Sequence, residues 1–149
     1  MFFLATNSPE YRRRVLDRTL FLLSKDFQSS WFSYYKSLRQ RNACLRDGSF
    51  QQAKSHNPLI IKYGDRVNNI RLMFTKNVYT TFKSLVKTNN ESPFFNSLNK
   101  LDIKLFNGYK SFNNSFDLDQ YFEHDCSRRT TTNGPHKADI ILSLGDVAV

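Results

Sequence analysis

The sequence predicts an α+β fold: an antiparallel hairpin of two long helices packed on a small, mainly antiparallel sheet. Three observations predict it. Residues 25–46 set Phe27, Trp31, Tyr34, Tyr35, Leu38, Asn42 and Leu45 at steps of three and four, one stripe of an α-helix. Residues 59–87 repeat the pattern with Tyr63, Val67, Ile70, Phe74, Val78, Phe82 and Leu85. LDIKLF at 101–106 alternates as a half-buried strand does, and ADIILSL at 138–144 reads as a second strand.

Taken in order, residues 2–6 read as a short buried strand. Ser8 then caps a helix with Pro9 in its first turn and Glu10 at its positive end. That helix covers residues 9–18, an apolar run follows at 19–23, and Ser24 caps the long helix. At 1.5 Å per residue the 25–46 helix is a rod of roughly 33 Å. Asp47-Gly48 ends it, since glycine takes the left-handed conformation of a C-terminal cap. Asn57-Pro58 breaks the next segment or starts a new helix, and residues 59–87 form the second long helix, in which Gly64 is the weak point. TNNESP at 88–93 is a polar loop and Asn107-Gly108 a turn. Residues 116–129 form a third helix with Leu118, Tyr121 and Phe122 inward. Asn133-Gly134-Pro135 is a loop, and Gly145-Asp146 turns the 138–144 strand into a hairpin with 147–149.

Composition narrows the function classes. At 149 residues and 40% hydrophobic the chain suits one domain with a ring-rich core. Its formal charge of +9 points to a polyanion. Between Glu10 and Arg46 nine Lys/Arg (Arg12, Arg13, Arg14, Arg18, Lys25, Lys36, Arg39, Arg41, Arg46) face three acids (Glu10, Asp17, Asp26), so +6 of that charge lies in a quarter of the chain. Most of these cations are arginine, which a lysine-raising coding bias does not explain. Cys44 and Cys126 stand alone, without zinc or disulfide spacing, which fits a reduced, cytoplasmic compartment. His124 and Cys126 are two residues apart, and two ligands do not make a metal site. MFFLA is too short for a signal peptide, and no stretch reaches the roughly 20 apolar residues of a membrane span, so a soluble chain is expected.

Three motifs, in this order, resemble the middle of the RecF family of bacterial recombination proteins. PEYRRRVLD at 9–17 is similar to the family's P-x-x-R-R-x-F-L-D. Gln40-Arg41-Asn42, with Leu45 beyond it, closes an aromatic-bearing helix as in the family. Gly134-Pro135-His136-Lys137-Ala138-Asp139 is similar to G-P-H-[RK]-x-D. IKLFNGY at 103–109 and the segment 126–129 also fall where the family has a strand and an E-R-D-R-like run, so the likeness covers nearly the whole chain. The resemblance implies an ABC-type ATPase related to SMC proteins, with a two-lobed head that dimerises on ATP and Mg²⁺ and binds DNA. It also implies work with RecO and RecR at single-strand gaps and in the SOS response. The chain departs from the family in lacking a G-x-x-x-x-G-K-[ST] phosphate loop, since its five glycines (48, 64, 108, 134, 145) have other spacings. The family's S-R-G-Q signature and Walker B strand, expected soon after position 149, are absent too. No catalytic residue, metal ligand or cofactor is therefore assigned to the chain itself. It reads as the middle region of a RecF-like protein, a helical arm at about 8–90 and a strand-helix-strand part at about 94–149.

The candidate DNA contacts are Arg12, Arg13, Arg14, Lys36, Arg39, Arg41 and Arg46. A guanidinium meets phosphate oxygens in a two-pronged way, which suits backbone binding without sequence reading. For Arg12, Arg13 and Arg14, pairing with Glu10 or Asp17 is the competing role, and at 3.6 residues per turn all three cannot face one partner. Asn42, His136, Lys137 and Asp139 are candidates for joining this region to the ATPase lobe, with internal hydrogen bonding the alternative for Asn42 and His136. Trp31, Tyr34 and Tyr35 suit base stacking, although core packing accounts for them more simply. The functional expectation is DNA binding at gaps or single-/double-strand junctions. A module that docks a repair partner, or a truncated relic with no function, are the rival readings.

Overall fold

The structure is a computed structural model, and it describes residues 8–89, 91–109, 116–145 and 147–148. The strand expected at 2–6 lies outside these residues. Helix α1 spans Pro9–Leu23 and α2 spans Lys25–Arg46. The Ser8 side chain accepts the Tyr11 N–H. Ser24 serves both helices, its N–H closing α1 on the Leu20 carbonyl while its hydroxyl accepts the Phe27 N–H of α2. One residue thus makes the elbow, and the apolar run 19–23 belongs to α1 instead of following it. Helix α3, Phe50–Ser55, and α5, Pro93–Leu98, are short turns in segments that show no period. Between them runs α4, Asn57–Thr88, 32 residues long.

Helices α2 and α4 are antiparallel. Arg41 meets Asn57, Tyr34 lies against Gly64, and Asp26 meets Arg66, so positions climb one helix as they descend the other. Gly64 is required by that packing. A Cβ there would stand 3.1 Å from both the Tyr34 and Phe116 rings, tighter than an ordinary contact, so the glycine lets the helices close.

Strand β1 (Leu101–Phe106) pairs antiparallel with β2 (Asp139–Leu144), from Leu101 opposite Leu144 to Phe106 opposite Asp139. Strand β3 (Val147–Ala148) continues from β2 as a hairpin, giving the order β1-β2-β3. The α+β expectation holds. Register places Ile103 and Leu105 on one sheet face with Leu142 and Ile140, and this face meets α1 and α4. The expected helix at 116–129 is shorter: a 3₁₀ turn at Asp119–Tyr121 leads into α6, Phe122–Arg128.

The core joins Leu16 and Leu20 of α1, Phe27, Tyr34 and Leu38 of α2, Ile60 and Val67 of α4, and Phe116 and Leu118. The buried face of α4 departs from the apolar stripe read in the sequence. Val78 and Leu85 are exposed, whereas Ile60, Gly64, Asn68, Arg71 and Thr75 are buried. A charged residue at the centre of a buried helix face needs a partner, and one comes from α1.

Candidate nucleic-acid interface

That partner is Asp17. Arg71 donates Nε to Oδ1 at 2.9 Å and Nη2 to Oδ2 at 2.8 Å, and its Nη1 reaches the Pro135 carbonyl at 2.8 Å. Asp17 Oδ2 also accepts the Trp31 indole N–H at 3.0 Å. Two further arginines of α1 bind the same loop and strand. Arg12 grips Asp139 with Nε and Nη2 at 2.8 and 2.7 Å, and Arg13 donates to the Ala138 carbonyl at 2.8 Å. The first and third recognisable motifs are therefore the two sides of one joint. Arg12 is corrected as a phosphate contact, because its fork already holds a carboxylate and its side chain is 14% exposed. Asp139 is its partner, while Lys137 is exposed.

His136 sits in this joint. Its Nδ1 accepts the Tyr34 hydroxyl at 2.8 Å, and its Nε2–H donates to the Thr131 carbonyl at 3.0 Å, a tautomer that needs a neutral ring. Burial, with the Lys137 and Arg13 charges adding to it, lowers its pKa from 6.5 to about 4. Burial also pushes the Tyr34 hydroxyl well up, so that it stays a donor. Because the folded pKa lies below the unfolded one, the unfolded chain binds the proton first as pH falls. The stability from neutral His136 is thus whole above about pH 6.5 and is lost towards pH 4, a loss approaching 3 kcal/mol. Urea unfolding followed between pH 7 and 4 should show this decline, and His136→Gln should flatten it. An equally steep decline in the variant would rule His136 out as its source.

The second motif lies at the far end of α2, and here the sequence reading of Arg41 is overturned. Arg41 is completely buried. Its Nε donates to Asn57 at 2.8 Å, and its Nη1 to Asp125 at 2.7 Å and Thr131 at 2.6 Å, while Nη2 has no partner. Neighbouring Asn42 accepts from the Thr131 N–H and hydroxyl at 2.8 and 2.7 Å, tying the helix end to the 130–132 loop. The second Asp125 oxygen accepts the Thr132 N–H and hydroxyl. Asp125 and Arg71 were missed by the sequence reading, which scored charged residues as exposed.

Of the candidate DNA contacts, those left without a partner inside the chain lie on one face of α2. Lys36, Arg39 and Arg46 are exposed, and the structure gives none of them a hydrogen bond or ion pair. Steps of three and seven keep them on one side of the helix, over about 15 Å of its axis. Lys25 and Phe32 extend the same face towards the elbow, Phe32 being 61% exposed. Arg14 is exposed but paired with Glu10 at 2.8 Å, a surface contact worth only about 0.3–0.5 kcal/mol and easily exchanged for phosphate.

Beside this face, between α1 and α2, opens a cleft of about 340 Å³. Arg13, Arg14 and Arg18 line it from α1 beside the carboxylates of Glu10 and Asp17, and Phe21, Trp31, Tyr35 and His136 add to its walls. Trp31 and Tyr35 pack together at 4.2 Å between ring centroids, tilted by 37°. Arg18, which sequence reasoning counted as charge but did not single out, is exposed and bonded to no neighbour in the structure.

Gly48, Gly64 and Gly108 do not fit a nucleotide phosphate site of the Walker type. Such a site needs glycines whose N–H groups cradle phosphate at a helix start, with a lysine behind them. Here Gly64 is packed inside α4, Gly108 lies so close to Gly134 that a Cβ would strike its carbonyl oxygen, and Gly48 follows a helix end. Among the described residues no group of three or more His, Cys, Asp or Glu is placed to hold a metal ion, and no helix is long and apolar enough to cross a membrane.

The fold is similar to part of two solved RecF structures. A solved structure of the recombination mediator protein RecF in the RecFOR pathway, as RecF-ATPrS, superposes with a TM-score of 0.80, covering 97% of this chain and 41% of that one at 17% identity. A RecF-ATP structure gives 0.75 over the same shares. Sequence comparison points the same way: over nearly its whole length the chain is similar to part of the DNA replication and repair protein RecF. The Shewanella frigidimarina protein is 26% identical over 155 residues, covering 98% of this chain and 39% of the relative. The Pseudoalteromonas translucida protein is 28% identical over 145 residues, covering 95% and 38%. The chain thus spans about two fifths of the length of the curated relatives it matches. No family model matches it.

Proposed function

We propose that this chain is the DNA-binding and interaction region of a RecF-like replication and repair protein. One observation carries the reading: Lys36, Arg39 and Arg46 form an exposed, unpaired row on a rigid helix, in a chain similar to RecF over nearly its whole length. The row tracks backbone phosphates at a gap or junction without reading bases. Helices α1 to α4 act as the arm that presents it, and the part from α5 to β3 faces the rest of a longer protein through the exposed Lys137, while His136, Asp139 and, from α2, Asn42 hold the joint behind it together. ATP and Mg²⁺, and an ATP-dependent homodimer, belong to that longer protein, and no catalysis is assigned to this chain. RecO and RecR are the partners this reading names, in the cytoplasm, during gap repair and the SOS response.

Fluorescence anisotropy of the chain with labelled gapped duplex, titrated with salt, tests the proposal. Changing Lys36, Arg39 and Arg46 together to alanine should reduce the log–log salt slope by about 2.7, close to 0.9 for each phosphate that is no longer neutralised. An unchanged slope in a folded variant would remove α2 as the DNA surface.

A second reading rests on the elbow, where Leu22 is 88% and Leu23 67% exposed, next to Phe32. A protein partner docked there would survive the triple alanine change and be lost on Leu22→Ser with Leu23→Ser.

A further inference from the structure

We infer that the cleft between α1 and α2 is a binding site for one unstacked nucleotide, a base with its phosphate. The inference rests on the DNA-binding reading but concerns a different surface from the α2 row. Three features of the cleft point to this ligand. Its volume of about 340 Å³ lies at the small end of ligand pockets, about 300–1,000 Å³, which suits one nucleotide and excludes a duplex. Its aromatic side is firmly held: Trp31 is fixed by its N–H bond to Asp17 and by the edges of Phe21 and Phe32, and it packs on Tyr35. A rigid aromatic wall is what base stacking uses, with little loss of side-chain freedom on binding.

The charge balance supplies the phosphate end. Two carboxylates line the cleft, and each faces a cation that offsets its charge. Asp17 is held by Arg71, and Glu10 by Arg14. Arg13 gives one N–H to the Ala138 carbonyl and meets no carboxylate, and Arg18 makes no bond at all. His136 is neutral in its two hydrogen bonds. The cleft is therefore cationic at its α1 rim and aromatic at its α2 wall. Arg39 stands one helical turn beyond Tyr35, so a strand whose base enters the cleft has its neighbouring phosphates led onto the α2 row. A base already unpaired at a gap enters without the cost of breaking a pair.

Trp31 is the only tryptophan in the chain, so its emission reports on this cleft alone. Oligo(dT), a hairpin duplex and dTMP would each be titrated into the full chain, following Trp31 emission, with anisotropy for the two labelled DNAs. Oligo(dT) should quench Trp31 in step with its anisotropy, and the duplex should bind without quenching. Arg18→Glu should lower the single-strand to duplex affinity ratio about tenfold, the scale of one charged hydrogen bond to phosphate. Quenching by dTMP as well would extend the site to free nucleotides, whereas quenching by oligo(dT) alone would confine it to nucleotides in a strand. Oligo(dT) bound by anisotropy with Trp31 unchanged would overturn the cleft and leave the α2 row standing. Quenching by dTMP with no DNA anisotropy would keep the cleft and remove the row. Neither signal would overturn both.

Discussion

Replacing Arg41 with methionine should destabilise the protein by about 3–5 kcal/mol, because it leaves Asp125 as a buried charge without its cation. Asp125 is inaccessible to solvent, and Thr132 satisfies only one of its oxygens. Asn57 and Thr131 are each deprived of a donor in the same step. Removing Asp125 as well, as Arg41→Met with Asp125→Leu, should recover a sizeable part of the loss, since the charge left stranded is then gone. Recovery has room to exceed the usual expectation, as Arg41 Nη2 lacks a partner even in the intact protein. Urea midpoints of the two variants decide the matter. If Arg41→Met stays within about 1 kcal/mol of the parent chain, the cluster is open to water and a DNA role for Arg41 returns. Otherwise the folded fraction of the variant should keep the parent's DNA affinity, which separates scaffolding from binding.

The sequence made the helices legible and left their charged interior unread. Caps at Ser8 and Ser24, the period of Phe27, Tyr34 and Leu38, and the β1 alternation are local signals, and local geometry follows them. Arg41 and Arg71 carry no such signal. Their carboxylates arrive from Asp125, 84 positions away, and Asp17, 54 positions away, so a rule that places charge outside fails at both. A clue was present in another form. The segments that carry the likeness to RecF are those that bond to one another: Arg12 and Arg13 to Asp139 and Ala138, and Arg41 and Asn42 to the turn after α6. Motifs far apart in a chain, rich in arginine and aspartate, can be mutual partners before they are ligand contacts. Of the seven cations that the sequence offers for DNA, Lys36, Arg39 and Arg46 escape that use, and they are also the ones outside the arginine triplet and off the buried stripe. The cleft was out of reach of pattern reading, since it exists only where α1 folds back beside α2.

Asp17→Ala should be the other costly change, again about 3–5 kcal/mol, for the opposite reason: here the stranded group is the cation. Arg71 is fully buried, and without Asp17 its guanidinium keeps only the Pro135 carbonyl at 2.8 Å and a long hydrogen bond of 3.4 Å to Asn68. Arg71→Met strands Asp17 less severely, because that carboxylate still accepts the Trp31 N–H and lies at the cleft edge, where its side chain is 11% exposed. The two singles should therefore differ, with Asp17→Ala the worse. In the double variant the losses should fall short of their sum by about 1–3 kcal/mol, the coupling expected of residues that touch directly. Trp31 emission gives the same experiment a second reading. Removing Asp17 frees the indole N–H, so emission should move to longer wavelength in folded Asp17→Ala, while Arg71→Met should leave it nearly in place. Additive losses with no change in emission would mean that Asp17 anchors neither partner. A wavelength shift confined to Asp17→Ala would tie the stability of the α1–α4 joint to the shape of the cleft, since one carboxylate holds Arg71 on one side and the aromatic wall on the other.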